Sequence, residues 1–360
     1  MLVFFLGKEI FKEEKPAWIA SCLYAFEPLS MLYAGMLLSE TFFTFVLISG
    51  TYGFVKYLKN DGWRYMILSA LCFAFLPYVR PVAYFLPVLL LLFLGVHSFQ
   101  KGLTRKSFYR ILTFCLIAGM GIGYWHWRNN QQADYKGFSS VSQFNLYFFQ
   151  GAAVQAQLQG KGFDDVQKEM GYMNPEIYNS LHPEQKNWPA DKVYQFMAME
   201  GIRMIRENPW IYCKIHLKGV FKILFDPGAN EWLKLFKLYP EKGGLLSYFN
   251  DYGFFKTIVL IFKDKPLLFW LNVSLGFVTT AYLFLAFLGL ICGGMHMDGV
   301  NLLFLLCLYF VLISAGPQTT ARFRHPLMPF ITIMAGWGGY ILNRCRNGGK
   351  FNLDVGKGES

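Results

Sequence analysis

Apolar runs close to or beyond the roughly 18 residues needed to cross a hydrocarbon core of about 30 Å recur along this chain, separated by short basic stretches. They cover residues 18–36, 41–56, 65–79, 82–97, 111–127, 267–292, 300–315 and 325–342. Inside a bilayer a single segment satisfies its own backbone only as a helix. The pattern therefore predicts an all-α integral membrane protein, a multi-span helical bundle of about eight spans with one small extracytoplasmic helical segment. Composition agrees, because 54% hydrophobic against 16% charged residues leaves too little polar surface to wet one soluble core.

Lysine and arginine outnumber the acids 34 to 23. Much of the excess falls at four joints between apolar runs: Lys8, Lys12 and Lys15; Lys56, Lys59 and Arg64; Lys101, Arg105, Lys106 and Arg110; Arg344, Arg346 and Lys350. The positive-inside bias places all four on the cytoplasmic side of a cell (inner) membrane, with a cytoplasmic C-terminus. Nucleic acid is excluded as a partner, since no soluble module carries a continuous basic face interleaved with aromatics. The seven cysteines form no CxxC and mostly lie in apolar runs, so no disulfide framework is indicated. Six scattered histidines show no metal-ligand spacing; no cofactor is expected, and a divalent metal held by carboxylates alone has no support in the pattern.

Four regions follow: N-terminal transmembrane helices over 1–128, an extracytoplasmic segment with an interfacial helix over 129–266, C-terminal transmembrane helices over 267–342, and a cytoplasmic tail over 343–360. Residues 18–36 and 41–56 read as a hairpin whose tight turn, Leu37 to Glu40, faces outward. Arg80-Pro81 interrupts the next apolar stretch, and Trp125 and Trp127 suit an interfacial belt. Asn129 to about Asn208 is polar and reads as a small cap resting on the membrane rather than an independent core. Over 209–225, Lys214, Lys218 and Lys222 at every fourth position predict an amphipathic interfacial helix. Met1 to Leu6 looks like the end of a helix whose beginning lies upstream.

Arg80, Arg322 and Arg324 stand at the outer ends of apolar helices, where a guanidinium is costly unless it meets an anion. Its planar fork suits phosphate. The plainer alternative is that each snorkels or pairs with a neighbour such as Glu40. Glu40 is either a helix N-terminal residue complementing the dipole or a carboxylate serving an outward cavity, where it can act as a base. Arg128 and Asn129, followed by Ser139, Ser140, Ser142, Gln143, Asn145 and Tyr147, gather amides, hydroxyls and aromatic faces of the kind that meet carbohydrate. Any surface loop is rich in the same residues.

The segments EPLSMLYAGMLLSETFFTF (27–45), YVRPVAYFLPVLLLL (78–92), WHWRNN (125–130) and ARFRHPLMPFITIMAGWG (321–338) resemble, in order and over most of the chain, the polytopic GT-C glycosyltransferases, similar to protein mannosyltransferases and aminoarabinose transferases of lipid A. That resemblance implies inverting transfer of a sugar from a polyprenyl-phosphate carrier to an extracytoplasmic lipid, glycan or protein acceptor. It places Glu40, Arg80, Arg322 and Arg324 around the donor cavity. The family's principal base lies in a first outer loop that this sequence does not contain. The resemblance thus carries a rival reading, in which the chain binds or moves lipid-linked sugar without turning it over.

Overall fold

The computed structural model describes residues 1–36, 38–60, 62–238, 256, 259–260, 262–263, 265–292 and 297–347. Every regular element among them is helical. In chain order the helices are α1 (Leu2–Phe11), α2 (Glu14–Ala25), α3 (Pro28–Ala34), α4 (Ser39–Asn60), α5 (Trp63–Val79), α6 (Leu86–Gln100), α7 (Arg105–Ala133), α8 (Val141–Asn145), α9 (Ala152–Gln159), α10 (Phe163–Glu169), α11 (Pro175–Leu181), α12 (Ala190–Glu207), α13 (Pro209–Phe225), α14 (Ala229–Leu235), α15 (Pro266–Ile291), α16 (Asp298–Ser314) and α17 (Met328–Arg346). A π-helical turn, Leu146–Gly151, joins α8 to α9, and 3₁₀ turns at Pro81–Ala83 and Ala321–Leu327 precede α6 and α17.

Among the described residues, three helical stretches are long and apolar enough to cross a membrane: Pro81–Gln100, Arg105–Ala133 and Pro266–Ile291. A fourth is added if α3 and α4, bent at their junction, count as one span. The other apolar runs fall on shorter or interrupted helices, for local reasons. The 18–36 run breaks because Pro28 disfavours a helical conformation at Glu27, which is extended at φ −70°, ψ 120°. Helices α5 and α16, at 17 residues each, reach only about 25 Å at 1.5 Å per residue. Residues 321–327 form a 3₁₀ turn, so the last helix begins later than the apolar run does. Leu37, in the expected hairpin turn, lies outside the described residues.

The chain divides into two compact units. The first comprises residues 1–44, 222–308 and 320–360. In it α17 packs against both α2 and α15. Glycines make this approach close: a Cβ on Gly336 would stand 2.6 Å from the Pro16 carbonyl oxygen, and one on Gly338 2.9 Å from the Gly289 nitrogen. Small residues at a crossing let helix backbones meet where lipid gives no hydrophobic drive for association. Trp337 stacks on Phe11, with ring centroids 4.9 Å apart.

The second unit comprises residues 45–221 and 309–319. Its apolar part packs α4 on α5 and α5 on α7, and Tyr309 donates to the Val82 carbonyl oxygen at 2.6 Å. Arg110, expected in a solvated basic joint, is buried with its guanidinium over the Tyr57 and Trp63 rings. The polar stretch folds into short helices around a core of its own, made of Tyr147, Phe148, Tyr178, Met197 and Met204. Gly201 lets α12 lie directly on the Leu146 backbone, where a Cβ would collide.

Candidate functional site

Within the first unit, charge converges on the 3₁₀ turn before α17. Arg322 hydrogen-bonds through Nε to Glu40 Oε1, in the first turn of α4. Glu40 has no exposed surface, whereas the Arg322 side chain is 41% exposed. An anion at a helix N-terminus also complements the dipole. The Glu40 carboxylate holds the Arg322 guanidinium still further above its already high ordinary value.

Arg324 is 1% exposed and faces inward. Its Nη1 donates to the carbonyl oxygens of Ile223, Leu224 and Asp226 at 3.0, 3.1 and 2.8 Å, and Nη2 reaches Thr279 Oγ1 at 3.4 Å. The last carbonyls of α13 have no partner within their helix, and this guanidinium supplies one. Burial pulls Arg324 below its ordinary value, and the charges of Glu27 and Asp226 oppose that pull. Its expected place on a carrier phosphate is therefore corrected: its donors are directed at backbone.

Two neighbours escaped sequence reasoning. Glu27 is buried and caps α3, accepting from Leu29 N at 3.2 Å and Ser30 N at 2.6 Å. His325 is buried with Nδ1 3.4 Å from Ser30 Oγ and its ring edge-on to Tyr33. The signal for Glu27 was present, as an acid directly before a proline that opens a helix.

Arg80, Arg128, Asn145 and Tyr147 belong to the second unit. Arg80 ends α5 in an extended conformation, its amide bonded to Leu76 O at 3.0 Å. Asn145 closes α8. Tyr147 is 4% exposed and sits in the aromatic core, its hydroxyl 3.1 Å from His182 Nε2; burial pushes its ionisation up to about 12. Tyr147 is thus corrected from a surface contact to a core residue.

Arg128 stands beside a cleft of about 420 Å³ where α7 ends. That size falls within the roughly 300–1,000 Å³ of ligand pockets. Its lining includes Tyr78, Trp125, Asn129, Tyr135, Phe138, Ser139, Ser140 and Tyr194. The end of α7 clamps the loop forming one wall: Trp125 Nε1 donates to Phe138 O at 3.0 Å, Asn129 Nδ2 donates to Gly137 O and Phe138 O at 3.0 Å each, and His126 Nδ1 lies 2.9 Å from Lys136 O. Trp125 and Asn129 are four residues apart and share a helix face, which explains how one turn holds three loop residues. Arg128 lies over the Trp125 ring at 4.7 Å and donates to Asn129 Oδ1 at 3.1 Å. Among the described residues no group of three or more His, Cys, Asp or Glu is arranged to hold a metal ion.

These features define a multi-pass, all-helical membrane protein with a structured polar segment. The family model described as GPI transamidase subunit PIG-U matches residues 6–148, under half of the chain. The match takes in Glu27, Glu40, Arg80, Arg128 and the helix–loop clamp. No curated protein and no solved structure matches the chain. The glycosyltransferase resemblance read from short motifs has no direct counterpart in these comparisons.

Proposed function

We propose that this chain is a non-catalytic, multi-pass subunit that holds a lipid-linked saccharide for an enzyme assembly in the membrane, and that sugar transfer is not its own reaction. The observation carrying this reading is the state of Glu40, the acid the sequence offers as a base. A general base must reach the proton it abstracts. Glu40 has no exposed surface and is bonded to Arg322. Likeness to a family of enzyme subunits over residues 6–148 supports the same reading. In this reading the donor is a polyprenyl-phosphate sugar, the acceptor belongs to partner proteins, and Arg344 and Arg346 face the cytoplasm.

The test is the purified chain in liposomes with polyprenyl-phosphate mannose, glucose or aminoarabinose and an alcohol acceptor. Retention of labelled lipid-linked sugar on the protein without glycosylated product is expected. Product formation that disappears in Glu40→Gln would overturn the reading, as would failure to retain any of the three lipids.

A further inference from the structure

The cleft at the end of α7 is lined by neutral groups, and buried polar atoms are left over at its wall. Tyr135 is 8% exposed and lines the cleft; its hydroxyl faces the Gln143 side chain, yet neither that hydroxyl nor Gln143 Oε1 completes a well-formed hydrogen bond. Buried polar groups are nearly always satisfied, because an unmade hydrogen bond there costs about 1–3 kcal/mol. The position of Tyr135 is nonetheless built in. Its amide bonds to Asn129 O at 3.3 Å, its ring packs edge-on against Tyr194 at 5.8 Å, and only a glycine at 137 leaves room, since a Cβ there would collide with the Tyr135 ring and hydroxyl.

The remaining walls divide by chemistry. Tyr78, Trp125 and Phe138 pack edge-to-face or tilted with centroids 5.1–6.2 Å apart. Pro77 and Pro81 add apolar surface, while Ser139 and Ser140 contribute hydroxyls. The indole N–H of Trp125 and the amide N–H₂ of Asn129 are spent on the wall itself, so the hydroxyls of Tyr135, Ser139 and Ser140 remain as the directional groups. The aromatic edges and faces remain as the apolar ones. No carboxylate or guanidinium lines the cleft, and Arg128 is held on Trp125.

We infer that this cleft is a saccharide subsite that takes one pyranose ring of a glycolipid headgroup, with the Tyr135 hydroxyl as its buried hydrogen-bond partner. A pyranose has an apolar face of C–H groups for an aromatic wall and a rim of hydroxyls for neutral donors and acceptors, which matches the division seen here. The cleft lies where the apolar helix α7 gives way to the polar segment. This inference rests on the proposed handling of lipid-linked saccharide and assigns it a location.

The test uses the full chain in phospholipid nanodiscs with two probes, citronellyl-phosphate mannose and its sugar-free counterpart citronellyl phosphate. Methyl glycosides of mannose, glucose and glucosamine are added in saturation-transfer NMR. Saturation of ring protons is expected for at least one glycoside. Binding of the mannosyl lipid should weaken roughly three- to tenfold in Tyr135→Phe, which removes a single hydroxyl and with it one neutral hydrogen bond. A parallel loss is expected in Ser140→Ala. Affinity for citronellyl phosphate should be unchanged in both variants. Thermal unfolding of Tyr135→Phe should be unchanged or slightly improved, since a buried unsatisfied group is removed, which separates loss of a ligand contact from loss of fold. Mannosyl-lipid binding that is equal in wild type and both variants would overturn this location while leaving the proposed function standing. Absence of wild-type binding to every sugar-bearing probe would overturn both.

Discussion

The charged cluster of the first unit and the neutral cleft of the second make opposite use of polar chemistry. Around the 3₁₀ turn at 321–327, formal charges meet protein groups: Arg322 meets Glu40, and the two terminal nitrogens of Arg324 meet three carbonyls and a threonine hydroxyl, while its Nε makes no hydrogen bond. In the cleft no formal charge lines the wall, yet buried oxygens of Tyr135 and Gln143 complete no well-formed hydrogen bond. Charge that a sequence displays in an apolar setting is costly enough that folding must neutralise it.

The sharpest way to break this contrast is Arg324→Met. If Arg324 is structural, its removal strands the carbonyls of Ile223, Leu224 and Asp226 and should destabilise the protein by about 3–5 kcal/mol, read as the fraction folded in graded SDS–detergent mixtures. Arg324→Lys should recover only part of the loss, since an ammonium cannot span three acceptors as the fork does. Near-wild-type stability with lost binding of anionic lipid would return Arg324 to the ligand.

Next in size is the Glu40–Arg322 pair, where an asymmetry is expected. Arg322→Ala takes a bonded cation away from a fully buried carboxylate and should cost about 2–4 kcal/mol. Glu40→Gln leaves a half-exposed guanidinium that can turn to water, and should cost about 1–2 kcal/mol. The double variant Glu40→Gln/Arg322→Gln should lose less than the sum, with a coupling of about 1–2 kcal/mol in a double-mutant cycle. Equal single losses and no coupling would mean that the pair is incidental.

This asymmetry bears on how far the sequence could be read. The apolar runs at 82–97, 111–127 and 267–292 correspond to helical stretches at Pro81–Gln100, Arg105–Ala133 and Pro266–Ile291, because long apolar runs admit few alternatives in lipid. Shorter runs failed where one local residue prevailed, as Pro28 does in breaking 18–36. For the site, residue type flagged Arg322 and Arg324 as costly, and pairing with Glu40 was legible as the plainer alternative for Arg322. What Arg324 meets was not legible, since its carbonyl partners lie about a hundred residues away in sequence and any backbone could have served. Arg128 and Asn129 stood out as a polar and aromatic cluster. Tyr135, between a helix end and a glycine, did not, because its value lies in an uncompleted hydrogen bond that no sequence pattern records.

Among smaller effects, Glu27→Ala removes the side chain that caps α3 through Leu29 N and Ser30 N, and should cost about 1 kcal/mol. Asp at 27 should restore most of it and leave lipid-linked sugar retention unchanged. An effect confined to retention, with stability intact, would make Glu27 part of a binding site instead.

The smallest expected effect concerns Tyr147, which sets the aromatic core of the polar segment apart from the cleft. Its hydroxyl meets His182, and burial pushes its ionisation from 10.0 to about 12. The folded state therefore favours the protonated phenol. That contribution to stability is fully present below pH 10, where both folded and unfolded forms are neutral, and is lost as pH rises through about 12. Tyr147→Phe should lower stability at pH 7 by about 1 kcal/mol or less, through one hydrogen bond, and should blunt the loss between pH 10 and 12. Saccharide retention should not change, in contrast to Tyr135→Phe, where retention falls and stability does not. Two buried tyrosines, one whose hydroxyl meets His182 and one whose hydroxyl completes no well-formed hydrogen bond, thus give opposite outcomes for the same substitution. Parallel behaviour of the two variants would remove the distinction between core and cleft on which the location of the subsite depends.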